Sequence, residues 1–118
     1  MKNTFLLLPL IVSLQLFVHP AQAADVTKGQ ALFAQRCAMC HGDRGEGNGP
    51  IAATMPEGQK PRNLTSGANK YATDDAKLTE LIQKGGAAFG LSPIMPAQSD
   101  LKPADVADLV AFVNSLKK

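Results

Sequence analysis

Apolar positions recur at helical spacing in three stretches of this 118-residue chain, and each stretch is bounded by residues that start or stop helices. Toward the C-terminus Val106, Leu109, Val110, Val113 and Leu116 form one stripe that begins just after Pro103, a favoured first-turn residue, and runs to the terminal lysines. Those lysines complement the negative end of a helix dipole. Leu78, Leu81 and Ile82 mark a second helix, from Thr73 or Asp74 to Lys84, stopped by Gly85-Gly86. Ala31, Leu32, Phe33 and Ala34 mark a first one, from Thr27 as N-cap to Cys37. No alternating run suggests a strand, so the pattern predicts an all-α fold with three main helices and no internal repeat.

From Gly42 to Lys70 periodicity disappears, and Gly, Pro, Asn and small residues dominate. Such a connection is long for a compact domain. It suits a chain wrapped around a flat bound group, where turns and close backbone approaches serve better than regular elements. A short helical turn is expected within Pro50 to Met55.

The N-terminus has a different pattern. Lys2 precedes a nearly unbroken apolar stretch from Phe5 to Val18, and Ala21-Gln22-Ala23 follows as a small-residue cleavage signal. This is the layout of a secretory signal peptide over residues 1–23, leaving a single domain at 24–118. An uncleaved anchor is disfavoured, because the apolar stretch falls short of the ~20 residues a spanning helix needs and Pro9 interrupts it. Export to the periplasm follows, with no stable membrane insertion after cleavage.

Of the 12 Lys and Arg only Lys2 lies in this leader, and none of the 10 Asp and Glu does, so the exported domain carries about +1. Such a balance gives no basis for binding nucleic acid or anionic membrane. With no Trp, and with Phe33, Phe89, Phe112 and Tyr71 as its aromatics, the domain has little bulky material for a core. A buried planar cofactor would fill that gap, and the domain without it is expected to fold poorly.

The chemistry centres on Cys37-Ala38-Met39-Cys40-His41, the Cys-x-x-Cys-His spacing of covalent c-type haem attachment. On one helical turn both sulfurs face the same side, where each can add to a vinyl group of the porphyrin. His41, four residues after Cys37, shares that face and can reach the iron as proximal ligand. A thioredoxin-like dithiol belongs with βαβ patterning, which is missing here. A zinc site wants about four ligands, and only His19, inside the leader, supplements these three. A disulfide between Cys37 and Cys40 would close a very short loop and stabilise little.

No second histidine survives cleavage, so the sixth ligand falls to methionine. Met39 sits between the cysteines, too close to the proximal side. Met55 reads as a gap-filling core residue. Met95, bracketed in Ser92-Pro93-Ile94-Met95-Pro96 and distant from His41 in sequence, allows the chain to reach the other haem face. A thioether is neutral and soft, ligates both oxidation states and raises the potential relative to a second imidazole. Arg62 and the Tyr71 hydroxyl are candidates for a haem propionate, because a buried carboxylate needs charged or hydrogen-bonding partners.

Taken in order along the chain, these residues resemble the class I cytochromes c, particularly small bacterial periplasmic monohaem members, over essentially all of 24–118. Lys28-Gly29-x-x-Leu32-Phe33 is similar to the family's N-terminal helix, and Leu109-x-x-Phe112 to its C-terminal helix. The resemblance implies that these two helices cross closely, with Gly29, Phe33 and Phe112 at the contact. Gly47-Asn48-Gly49-Pro50 resembles the family's Gly-x-Gly-Pro, which implies that the Pro50 carbonyl accepts from the other ring nitrogen of His41. Ile94-Met95-Pro96 resembles the axial-methionine loop. The lysine-ringed haem edge of mitochondrial members has no counterpart in this near-neutral chain.

The expected function is that of a soluble, monomeric one-electron carrier, not an enzyme, which meets redox protein partners through weak, transient interfaces. A gas sensor or peroxidase-like protein would need an open sixth position, and no distal His, Cys or acid/base group stands ready for it. A dedicated cytochrome subunit of a larger oxidoreductase would present the same sequence.

Overall fold

A computed structural model describes residues 1, 15–18, 21–66 and 74–118. Most of the expected leader, with Pro9 and His19, lies outside the described residues, as does Tyr71 with its expected propionate contact. The described elements are helical, with no strand among them: α1 (Val26–Arg36), α2 (Ala38–His41), a 3-10 turn at Ala52–Thr54, α3 (Asp75–Lys84), a 3-10 turn at Gly86–Phe89 and α4 (Pro103–Ser115). No helix among the described residues is long and apolar enough to cross a membrane.

Helix α1 starts earlier than Thr27, because Asp25 is the stronger cap. Its carboxylate accepts from the Thr27 and Lys28 amides at 2.9 and 3.1 Å, so one side chain satisfies two unpaired donors at the positive end of the helix dipole. The Asp25 amide in turn donates to Asp108 on α4 at 2.7 Å. Asp25→Ala should therefore lower stability by about 1 kcal/mol. In a domain of this size that is a fall of about 4–8 °C in Tm, measurable by far-ultraviolet circular dichroism.

Helix α1 packs closely against α4. A Cβ on Gly29 would stand 2.0 Å from the Asp108 carbonyl oxygen and 2.9 Å from the Phe112 Cβ, so the crossing tolerates only hydrogen there. One turn on, the Phe33 and Phe112 rings meet with centroids 5.1 Å apart and planes tilted by 57°, a favourable aromatic geometry. The contact between the two helices is thus made by the three residues expected to make it. Around it Val106, Leu109, Val110 and Val113 of α4 and Leu78 and Ile82 of α3 complete one buried cluster.

Asp74 caps α3 by accepting from the Lys77 amide at 2.7 Å, and the Gly85 amide closes the helix on the Leu81 carbonyl. Gly85-Gly86 does end the α-helix, but the chain then tightens into a 3-10 turn that the sequence pattern did not suggest. The turn folds the segment back: the Gly86 amide donates to the Met95 carbonyl at 3.0 Å, and the Gln98 amide to Ile82 at 2.9 Å. The short turn expected within Pro50 to Met55 is present as the 3-10 turn at Ala52–Thr54.

Candidate functional site: a haem cavity around the Cys-x-x-Cys-His turn

Cys37 breaks the helix after α1, with φ −120° and ψ −33°, and the chain re-forms a single turn through His41. The His41 amide donates to the Cys37 carbonyl at 2.8 Å, which brings the two thiols and the imidazole onto one turn. A helix this short leaves its final carbonyls unpaired. The glycine-rich loop that follows satisfies them in reverse order: Gly47 donates to His41 at 2.7 Å, Gly49 to Cys40 at 3.0 Å and Ile51 to Met39 at 3.2 Å. Gly49 has no room for a side chain, since its Cβ would lie 2.3 Å from the Met39 carbonyl oxygen.

The resemblance names the Pro50 carbonyl as the acceptor for His41, and the structure places another carbonyl beside the ring. The carbonyl within reach of His41 Nδ1 is that of Arg62, at 3.1 Å. The Gly47, Gly49 and Ile51 amides cover the carbonyls of α2, and the carbonyl beside the imidazole comes later in the chain, from Arg62. A carbonyl can only accept, which places the ring proton on Nδ1 and leaves the Nε2 lone pair free to bind iron. Burial lowers the His41 pKa, against a smaller opposing effect of the Arg62 hydrogen bond, and the imidazole is kept neutral as a ligand must be. Arg62 thus contributes its backbone, while its exposed side chain stands at the cavity wall. Arg62→Ala should leave the low-spin optical spectrum superimposable on that of the unchanged protein, because the acceptor is retained. A change of spin state in that variant would contradict the assignment.

The turn opens onto a cavity of about 590 Å³, within the range of cofactor pockets. Cys37, Cys40, His41 and Met95 all line it, against an apolar floor that includes Leu78, Leu81, Ile82 and Leu109. Both cysteines are free and half-buried. Burial pushes the Cys37 thiol up to about 11, so the sulfur sits there neutral, as it would in a thioether. Met55 lines the cavity too. It follows the 3-10 turn that packs on α2 and precedes the segment carrying Arg62, whereas Met95 belongs to the loop fastened to α3 through Gly86 and Gln98. The two thioethers therefore reach the cavity from different segments of the chain. A planar, largely apolar macrocycle with two vinyl groups and an iron fits this set of donors.

Residues 26–117 match the family described as Cytochrome c. The chain belongs to the cytochrome c family. It is a class I c-type cytochrome, its cofactor is haem c, and its role is electron transfer. The family places the domain on the extracytoplasmic side of the membrane. The cytochrome is 34% identical over 93 residues to the Cbb3-type cytochrome c oxidase subunit FixP of Bradyrhizobium diazoefficiens, covering 78% of this chain and 28% of that one. It is 32% identical over 111 residues to the subunit CcoP of Rhodobacter capsulatus, covering 87% of this chain and 33% of that one. The cytochrome thus spans a third or less of the length of these relatives. Among solved structures it is similar to a chain of the Kuenenia stuttgartiensis reducing HAO-like protein complex, with a TM-score of 0.62 and 26% identity over 76% of this chain and 41% of that one.

Proposed function

We propose that the cytochrome is a periplasmic one-electron carrier whose haem is held by thioethers from Cys37 and Cys40 and ligated by His41 and Met95. The observation that carries the proposal is the pairing of a neutral imidazole, its Nδ1 engaged by the Arg62 carbonyl, with a thioether delivered into the same cavity by a separately anchored loop. Haem c supplies reversible one-electron exchange at its iron. The protein orients His41 through Arg62, surrounds the site with apolar side chains, and among the described residues lining the cavity presents no further histidine or carboxylate for acid/base work.

Release of the domain by cleavage after Ala23 is supported by what stands on either side of the cut. Leu16, Phe17 and Val18 are 81–85% exposed and belong to no core, while Asp25, two residues beyond, caps α1. The proposed carrier is a monomer that meets its partners briefly, through small interfaces. The test is spectroelectrochemistry of the mature protein with peroxide turnover measured in parallel. A single reversible one-electron wave with no turnover is expected, and peroxide consumption linked to haem oxidation would overturn the proposal.

A second arrangement is favoured by the oxidase and complex subunits among the relatives: the domain as a dedicated cytochrome subunit of a larger oxidoreductase. Size-exclusion chromatography of the native protein from its own cells separates the two. The free carrier elutes at the size of one domain, and the subunit elutes with its complex.

A further inference from the structure

A thioether bond to iron is only as durable as the loop that presents the sulfur. Among the described residues, the loop that presents Met95 is fastened by its backbone to α3 or the turn after it, through Leu91 to Gly86, Gly86 to Met95 and Gln98 to Ile82. Nothing in those bonds ties it to the part of the chain that carries the haem-attachment turn. Among the described residues, the polar link to that part of the chain is made by one side chain. Arg36, the last residue of α1 and the neighbour of Cys37, donates through one guanidinium nitrogen to Gln98 Oε1 at 3.0 Å and Asp100 Oδ1 at 2.9 Å, and through the other to Asp100 Oδ2 at 2.8 Å.

The fork of a guanidinium is rigid, and a bidentate carboxylate pair with a third hydrogen bond fixes direction as well as distance. The partners lie 62 and 64 positions further along the chain, three and five residues past Met95. Three other ion pairs, Lys60–Glu57, Lys77–Asp74 and Lys84–Glu80, each join residues three or four apart and hold only their own turn. Arg36 and Gln98 both line the haem cavity. At 32% and 65% side-chain exposure the Arg36–Asp100 pair adds little to global stability. A bond that contributes little to unfolding of the whole domain can still govern the opening of one loop.

We propose that Arg36, acting through Gln98 and Asp100, is a positioning residue that clamps the Met95 loop to the haem-attachment turn and sets how often the thioether leaves the iron. The inference rests on ligation by His41 and Met95. It makes the last residue of α1 a control on access to the sixth position, although that side chain does not itself ligate. Loss of either partner releases the same clamp, so the effects of the two losses are shared rather than additive.

The experiment is stopped-flow binding of imidazole to the ferric, haem-loaded protein. At saturating imidazole the rate reports opening of the Met95 loop, and the sulfur-to-iron charge-transfer band reports the bond itself. Arg36→Gln and Asp100→Ala should each raise that limiting rate roughly five-fold or more, the range open to a partly exposed charged hydrogen-bonded pair. The double variant should be no faster than the faster single one, and Tm should move by only a few degrees. Asp100→Ala and Gln98→Ala sit at accessible positions and keep the test available should Arg36→Gln fail to accumulate. Limiting rates unchanged in Asp100→Ala and Gln98→Ala, with Met95→Ala binding imidazole without any slow step, would overturn the clamp while leaving Met95 as ligand. An unmutated protein that binds imidazole as fast as Met95→Ala would overturn the ligation, and the clamp with it.

Discussion

Met95→Ala should convert a closed, low-spin, six-coordinate haem into one with an open position, visible as a high-spin component in the ferric spectrum and as carbon monoxide binding in the ferrous form. The cause is local. Met95 comes from the loop fastened to α3, its carbonyl held by the Gly86 amide at 3.0 Å, and no histidine is available in the described structure to take its place at the cavity. Met55, the other methionine on the lining, follows the 3-10 turn that packs on α2, the helix that carries His41. Loss of the thioether should also lower the reduction potential by on the order of 0.1 V or more, a modest part of the roughly 0.8 V that axial ligation covers. Met95→His separates the two effects: a second imidazole restores six-coordination but holds the potential low. Met55→Ala should leave the spectrum unchanged. Redox titration with optical detection checks all three, and a Met95→Ala protein of unaltered spectrum and potential would assign the sixth position elsewhere.

Gly29→Val should prevent the mature fold from forming or remove most of its stability. A Cβ at this position meets the Asp108 carbonyl oxygen at 2.0 Å and its carbon at 2.6 Å, backbone atoms that cannot rotate away. Relief requires α1 and α4 to separate. Separation exposes Phe33, Val106 and Leu109, the most completely buried side chains of the domain. Overpacking alone costs about 1–3 kcal/mol, with the lost contacts added to it. Removing a glycine from a helix returns at most about 1 kcal/mol in propensity. Small domains have about 5–15 kcal/mol in total, so the balance is strongly unfavourable. Thermal unfolding followed at the haem absorption band measures it. Lys28→Ala, next to Gly29 but exposed, is the control and should unfold with the unchanged protein. A Gly29→Val protein within about 2 °C of that control would mean that the crossing is looser than its geometry indicates.

The residues whose chemistry lies in their side chains were the ones legible in the sequence. Cys37, Cys40 and His41 announce covalent haem attachment by spacing alone, and the stripes of α3 and α4 follow from burial on a 3.6-residue period. The contact of Gly29 with Phe112 follows from the resemblance to a known family, and the structure supplies its reason: a Cβ at Gly29 would stand 2.0 Å from the Asp108 carbonyl oxygen and 2.9 Å from the Phe112 Cβ. What could not be read were interactions made by the backbone. Any residue has a carbonyl, so nothing in Pro61-Arg62-Asn63-Leu64 signals that the Arg62 oxygen, rather than that of Pro50, lies against His41. For the same reason the role of the Gly47–Ile51 amides in covering the end of α2 was invisible, although the glycines themselves stood out. The role of Arg36 is hidden for a different cause: an arginine at the end of a helix is ordinary, and its partners are more than sixty residues away. The start of α1 is ambiguous in the sequence because Thr27 and Asp25 are both good caps, and the ionic one satisfies two amides.

The most direct measurement of the central claim, a closed iron suited to carrying electrons and little else, is the spectrum of the unmutated, haem-loaded ferrous protein before and after carbon monoxide is added. Ligation by His41 and Met95 requires a low-spin six-coordinate spectrum that carbon monoxide leaves unchanged over the time of mixing. Prompt formation of a carbon monoxide adduct would show an open sixth position and contradict the carrier.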